Sequence, residues 1–307
     1  MTGFSADWLA LREPFDRAAR ETTWSTLDLP SHTARWREGA EPGACVNVID
    51  LACGSGANLR ALAPRIGGPQ KWRLVDHDPV LLAAVPAAMH QWARDCGYTV
   101  ALSAPAVLRI TGNGFSVELA TERRDLVCEI DAIDFTQTHL VSASALLDLV
   151  SAEWLAALLR NVRPTNAALL FALSVDGRTT WSPGDEADEH VHRLFAEHQR
   201  RDKGFGPALG TEAVQHALRV LTDEGYTFLQ AQSDWHISDA NAPNMHAAMI
   251  EGMAAAALEQ DPHAASAVQQ WQARRLAHAP QSQLTVGHID FIALPPGQAR
   301  PHEPSSG

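Results

Sequence analysis

The sequence predicts an α/β protein: an open, doubly wound, mostly parallel sheet with helices on both faces. Three observations predict it. Buried strand, turn and helix alternate from residue 45 to 175, the pattern of a parallel sheet covered on both sides. A glycine turn, Gly54-Ser55-Gly56, follows the first of these strands and opens a helix. An apolar run, Leu284 to Leu294, supplies a last strand, placed antiparallel at an edge or beside the fifth strand.

The elements follow in order. Ser5 to Ala19 carries Trp8, Leu9, Leu11, Phe15 and Ala19 at helical spacing, with Ser5 or Asp7 as cap. Pro14 is expected to bend that helix or split it. Cys45 to Cys53 is β-branched and mostly apolar, a buried strand. Ala57 to Leu62 begins a short helix that stops near Pro64. Trp72 to Val75 is the second strand and ends in Asp76-His77-Asp78. Asp78 caps the next helix, Pro79 opens it, and it runs to about Asp95 with a kink at Pro86. Tyr98 to Ile110 and Phe115 to Leu119 flank Thr111-Gly112-Asn113-Gly114, a hairpin signal. Leu140 to Ala143 is a strand, Ser151 to Leu159 a helix, and Ala167 to Val175 a strand closed by Asp176-Gly177. Beyond Thr179 a loop around Trp181 leads to polar and amphipathic helices over Glu186 to Arg201 and Thr211 to Asp223. Tyr226 to Ser233 is strand-like, and Asn244 to Leu258 and His263 to Ala277 are Ala-rich helices.

Composition narrows the class. The chain has 307 residues, 46% of them hydrophobic, enough for a full core in one large domain or two modest ones. Lys and Arg number 24 against 36 Asp and Glu, and a net charge of −12 argues against a nucleic-acid surface. The four cysteines have neither disulfide-framework density nor metal-ligand spacing. The N-terminus lacks a secretory pattern and no apolar stretch is long enough for a bilayer, so a cytoplasmic location is expected.

In a sheet of this kind ligands bind beyond the carboxyl ends of the strands. Asp50-Leu51-Ala52-Cys53-Gly54-Ser55-Gly56 falls there, with glycines that let backbone approach a ligand. Asp76 ends the next strand, 20 residues past Gly56, where a carboxylate accepts both ribose hydroxyls. Asp125 is a third acid at a turn, suited to an adenine amino group, with Asp131 and Asp134 competing for the role. A dinucleotide fingerprint would need glycine where Leu59 stands, and a Walker loop would need Gly-Lys-Ser/Thr. A nucleoside ligand without phosphate fits better.

The stretch Val48 to Gly56 resembles the first motif of class I S-adenosylmethionine-dependent methyltransferases, and Leu74-Val75-Asp76-His77-Asp78-Pro79 resembles their second. The resemblance covers about residues 45–175 and the last strands. It implies a Rossmann-like, seven-stranded sheet, mostly parallel with an antiparallel last strand. It implies S-adenosyl-L-methionine as cofactor: Gly54 and Gly56 beside its methionine part, Asp50 on its amino group, Asp76 at the ribose, and His77 as a further cofactor-binding residue. Arg124-Asp125-Leu126 resembles the adenine-contacting region, and Ser142-Ala143-Ser144 the fourth motif, at the sulfonium end. The family's usual passage into the third strand is shorter than the hairpin at 98–122. The expected units are an N-terminal helical cap at 1–40, the cofactor-binding core at 41–178, a lid or substrate-binding insertion at 179–225, the C-terminal part of the core at 226–294 and a flexible tail at 295–307.

Methyl transfer by this cofactor needs orientation and exclusion of water, plus a base where the acceptor is a poor nucleophile. Arg12, Asp16 and Arg20 on the first helix are candidates, Arg20 toward the cofactor and Arg12 and Asp16 toward substrate; an ordinary capping helix is the alternative. Arg178 and Trp181 are further substrate candidates. His236 with Trp235, after a strand and a polar turn, and His190 in the insertion are the catalytic candidates, histidine being a suitable base near neutral pH. Most of the 14 histidines must be ordinary. No acidic cluster for a metal and no Asn/Asp-Pro-Pro-aromatic motif is present, which with the acidic charge favours a small-molecule acceptor, O- or N-directed. The competing functions are methylation of RNA or protein, a non-catalytic cofactor-binding protein, and, against Leu59, an NAD enzyme. Monomer and homodimer stay equally open.

Overall fold

The computed structural model describes residues 6–298 apart from 39–40, 42, 105–106 and 239–241. Ser5 and the tail from 299 lie outside the described residues. The chain begins with α1 (Ala6–Glu21), α2 (Trp24–Leu27) and α3 (Leu29–Trp36). It continues through β1 (Val46–Leu51), α4 (Ala57–Ile66), β2 (Gly68–Asp76), α5 (Pro79–Cys96), β3 (Thr99–Ala104), β4 (Val107–Gly112) and β5 (Phe115–Arg123). Then come β6 (Leu140–Ser144), α6 (Ala152–Val162), β7 (Ala168–Ser182), α7 (Asp188–Gln199), α8 (Ala213–Asp223), β8 (Thr227–Gln232) and β9 (Trp235–Ser238). α9 (Pro243–Gln260), α10 (Ala265–His278) and β10 (Gln283–Leu294) complete it.

The strands form one sheet in the order β3-β4-β5-β2-β1-β6-β7-β10-β8, with β9 also on β10. β5, β2, β1, β6 and β7 are parallel to their neighbours in this run. β10 is antiparallel to both β7 and β8, so the last strand lies beside the fifth parallel strand and not at an edge. Chain direction switches sides between β2 and β6, both bonded to β1, and such a switch opens a crevice at the strands' carboxyl ends.

Among the described residues the sheet has ten strands where seven are expected. The extra ones have physical causes. The Asn113-Gly114 turn forms the predicted hairpin, but its second arm, β5, is itself the third parallel strand, so β3 and β4 extend the sheet outward. β9 is a short antiparallel addition to the start of β10. β7 runs seven residues past Val175, because 179–182 pair with the first half of β10.

Each face of the sheet carries its own apolar core. Val46 and Val48 pack with Leu59, Leu62, Leu74 and Met89 under α4 and α5. Ile49, Leu51 and Val75 pack with Leu155, Leu158 and Leu218 under α6 and α8. The period-2 alternation of β1 therefore puts Asp50 on the α4 side. Asp78 caps α5 as expected, accepting from Val80 N–H at 2.7 Å. Pro14 leaves α1 one uninterrupted helix, and α4 continues past Pro64 because Ile66 still has core to enter.

The expected insertion at 179–225 divides. α8 is a sheet-covering helix, with Ala213, Ala217 and Leu221 fully buried. α7 rests instead on the C-terminal helices: Trp271 and Arg275 of α10 both donate to Asp188. The start of the expected tail is tied down, since Gln298 accepts from Trp36 Nε1 at 2.9 Å.

Gly56 ends the first turn with φ at +82°, and a Cβ there would stand 2.5 Å from Met89 Cε. An L-residue in the left-handed region costs about 1–2 kcal/mol before any repacking. Gly56→Ala should therefore lower stability by about 1–3 kcal/mol in urea unfolding. An unchanged midpoint would show that the turn adjusts freely.

Candidate active site

A cavity of about 130 Å³ lies at the carboxyl ends of β1, β6 and β7, roofed by α1. Its floor is the β1–α4 turn, and α1 approaches so closely that a Cβ on Gly54 would touch Leu9 Cδ1 at 3.4 Å. Three non-glycine residues in its wall hold left-handed backbone: Ala52 at φ +53°, Ala145 at +52° and Leu173 at +53°. Ala52 and Ala145 follow β1 and β6, and Leu173 lies within β7, just past its last pairing with β6 at Ala172. Such strain, of order 1–3 kcal/mol per residue, persists where the surroundings over-determine it and concentrates at functional sites.

A buried polar chain runs beneath the cavity. Arg20 donates through Nη1 to Asn58 Oδ1 at 2.6 Å. Asn58 donates to Asp50 Oδ1 at 2.6 Å, and Ser142 Oγ donates to the same oxygen at 2.8 Å. Among the described residues Asp50 Oδ2 and Arg20 Nη2 have no hydrogen-bond partner, and Arg20 Nε faces Asp290 Oδ2 at 3.6 Å without a hydrogen bond. Arg20 is 2% exposed and Asp50 0%, yet both line the cavity. Leaving buried charged donors and acceptors unbonded is costly, so this pair is built to receive something.

Burial pushes the Asp50 carboxyl up to about 6, against the bonds from Asn58 and Ser142 and the nearby Arg20 charge. Burial pulls the Arg20 guanidinium down; the charges of Asp290, Asp16 and Asp50 oppose it in that order.

At the other end of the cavity, Arg12 pairs with Asp16 at 2.9 Å and lies 5.0 Å over the Trp235 ring. Trp235 Nε1 donates to Asp16 at 3.1 Å. Burial raises the Asp16 carboxyl despite Arg12. Asp148, within reach of the Arg12 charge, is pushed up to about 6 by burial.

Asp76 does not line the cavity but governs its floor. Its Oδ2 accepts the Gly54 N–H at 2.8 Å and its Oδ1 accepts the Asp78 N–H at 2.9 Å. Each oxygen keeps a lone pair for a further donor. His77 stands 3.3 Å from Asp76 and is exposed, as is Asp125 on the loop after β5. Arg124 N–H donates to the Asp76 carbonyl at 2.9 Å, which brings that loop to the end of β2.

Asp50, Gly54, Arg12, Asp16 and Arg20 thus converge on one cavity; Gly56, Ser142 and Trp235 support it from behind. The remaining expectations fall elsewhere. His236 is exposed and 3.3 Å from Thr285, because alternation along β9 turns Trp235 inward and His236 outward. His190 sits on α7 against Arg193 at 3.1 Å. Arg178 is spent on Asp176 and, bidentately at 2.8 Å, on Asp234. Trp181 is core, stacked on His246 at 5.4 Å and covered by Arg275 at 4.4 Å. None of the four lines the cavity.

Asn58, Leu173 and Asp290 escaped the sequence reading. Asn58 is the polar residue among the otherwise apolar buried positions of α4, and Asp290 an acid inside an apolar strand. Both are signals of buried polar work. Among the described residues no three His, Cys, Asp or Glu side chains gather into a metal-holding group. No helix of the described residues is long and apolar enough to cross a membrane.

No protein-family model and no curated protein sequence matches the chain. Solved structures do. A cyclopropane-fatty-acyl-phospholipid synthase-like protein from Lactobacillus casei is 14% identical over 95% of each chain, with a TM-score of 0.47. A SAM-dependent methyltransferase from Geobacter sulfurreducens, in complex with S-adenosyl-L-homocysteine, is 14% identical over 92% of this chain and 98% of its own, TM-score 0.40. An O-methyltransferase family protein from Burkholderia thailandensis is 16% identical over 72% of this chain and 55% of its own, TM-score 0.40.

The raised Asp50 carboxyl has a stability consequence. Its native proton is held more tightly than in the unfolded chain, where about 3.9 is ordinary. Its contribution is therefore present at low pH and is lost as pH rises from about 4 to about 6. Asp50→Asn keeps an acceptor for Asn58 and Ser142 and removes that loss. It should be more stable than the native chain at pH 7.5, by on the order of 2 kcal/mol, with no advantage at pH 4. Equal stability of the two chains at both pH values would show that Asp50 is not desolvated.

Proposed function

We propose that the protein is an S-adenosylmethionine-dependent methyltransferase that acts on an oxygen or nitrogen of a small-molecule acceptor. One observation carries the cofactor reading. The unpartnered Asp50 Oδ2 and Arg20 Nη2 are opposite charges on the wall of a single cavity, beside the glycine turn. An α-amino acid end group, ammonium and carboxylate on one carbon, satisfies both at once. Phosphate has no place beside Asp50, which speaks against a dinucleotide. When bound, the cofactor supplies a methyl group activated on a sulfonium cation.

The chain's own residues do the remainder. Asp50 accepts from the ammonium and Arg20 donates to the carboxylate. Gly54 leaves its side of the cavity open to close approach, and the spare lone pairs of Asp76 accept from ribose hydroxyls, with Asp125 beyond them. α1 excludes water from the transfer path. A proton released by the acceptor has Asp16 in the cavity wall, with Trp235 and Arg12 fixing its carboxylate. The small roofed cavity and the net charge of −12 support a small acceptor over RNA or protein.

Calorimetric titration separates the readings. S-adenosylmethionine and S-adenosylhomocysteine should bind and NAD should not. Asp50→Ala and Asp76→Asn should each weaken binding roughly tenfold or more, since each removes a charge-assisted bond. A chain that binds neither sulfur nucleoside would sink the proposal. Binding without label transfer from methyl-labelled cofactor to any of a panel of phenols, carboxylates and amines would favour the non-catalytic alternative.

A further inference from the structure

Asp290 is an acid of β10 with both carboxylate oxygens engaged. It is 0% exposed and sits where β10 shifts register against β7, between Ile289 and Phe291. Shifts of this kind re-aim side chains beside active sites. Its Oδ1 accepts from Leu173 N–H at 2.7 Å and from Ser233 Oγ at 2.6 Å. Its Oδ2 accepts from Thr23 Oγ1 at 3.4 Å and faces Arg20 Nε at 3.6 Å.

Asp290 is not part of the cavity wall, but two of these partners are: Arg20 and Leu173. From this geometry we infer that Asp290 is a positioning residue for ligand recognition. It fixes Arg20 so that the guanidinium takes the carboxylate of the bound amino-acid group, and it sets the left-handed Leu173 backbone that shapes the adjoining wall. The inference rests on the proposed cofactor reading and adds to it the residue that makes the site selective for a carboxylate.

Three facts point the same way. Arg20 is held between Asn58 on one side and Asp290 on the other, which leaves Nη2 for a ligand. Of the charges that oppose the effect of burial on Arg20, that of Asp290 is the largest. Thr23 extends the same clamp along the chain just after α1, so the end of the roof is fixed by the same carboxylate.

The test compares S-adenosylmethionine with its decarboxylated form, which keeps the nucleoside, sulfonium and amine. The native protein should prefer the carboxylated ligand roughly tenfold to hundredfold, the worth of one charge-assisted bond. Asp290→Asn retains an acceptor for Leu173 and Ser233 and removes the charge facing Arg20. It should bind both ligands within about threefold of each other. Loss of stability alone would weaken both ligands alike and would leave the ratio intact. Ser233→Ala, which removes a bond to the opposite oxygen, should keep the native ratio. Should Asp290→Asn not fold, Asp290→Ser, with room for water beside Arg20, takes its place.

An unchanged ratio in either Asp290 variant would overturn the inference while leaving the cofactor reading standing. So would failure of both variants to fold, which would assign Asp290 to the fold. A native chain that binds neither ligand would overturn the cofactor reading itself.

Discussion

The whole site depends on one buried guanidinium. Arg20 lies at the end of a surface-crossing helix, yet it is nearly inaccessible to water. Burying such a charge unpaired would cost several kcal/mol. The neighbourhood is arranged to prevent this: Asn58 accepts one of its protons, Asp290 faces another, and the Trp24 ring lies 5.1 Å from its carbon. The same constraint decides what surrounds it. Asn58 is oriented by Arg20 and in turn orients Asp50, and Ser142 closes the chain from β6. Four elements, α1, α4, β1 and β6, are thereby locked at the crevice the strand order creates.

The roof is held at several points besides Arg20. Glu13 accepts from Arg60 of α4 at 2.8 Å, and Asp16 accepts from Trp235 of β9. The Glu13–Arg60 pair also belongs to the wall of a wider groove of about 710 Å³ between α1, α4 and α5. The first helix is thus an integral wall of the site. Its Arg12, Asp16 and Arg20 line the cavity, and its apolar residues Leu11 and Phe15 pack against the core.

The sequence was most legible where local chemistry decides the structure. The β1 turn, the Asp78 cap, the Asn113-Gly114 hairpin and the alternating core strands are all short-range statements. So is the convergence of Asp50 and Gly54, adjacent on one strand end. Asp76 was legible as an acid at the right strand end, but its bond to the Gly54 N–H was not, since that needs the pairing of β1 with β2. His236 misled because β9 is only four residues long, too short for its alternation to announce which of Trp235 and His236 faces inward. Arg178 and Trp181 misled because their partners, Asp234 and Arg275, are far along the chain. Asp290 was hidden by its setting: in an apolar run, one acid signals no partner until β7 and α1 are beside it.

That setting also orders events in time. Asp290 is 267 residues from Thr23, and its clamp reaches back further still, to Arg20. As the chain emerges from a ribosome, Arg20 and the β1 turn exist long before β10 does. Until the last strand slots between β7 and β8, Arg20 has no Asp290 and Leu173 has no carboxylate to hold its backbone. The site is therefore finished last, with the arrival of the final strand. A nascent chain that has formed the first half of the sheet still lacks the carboxylate that faces Arg20 and holds the Leu173 backbone.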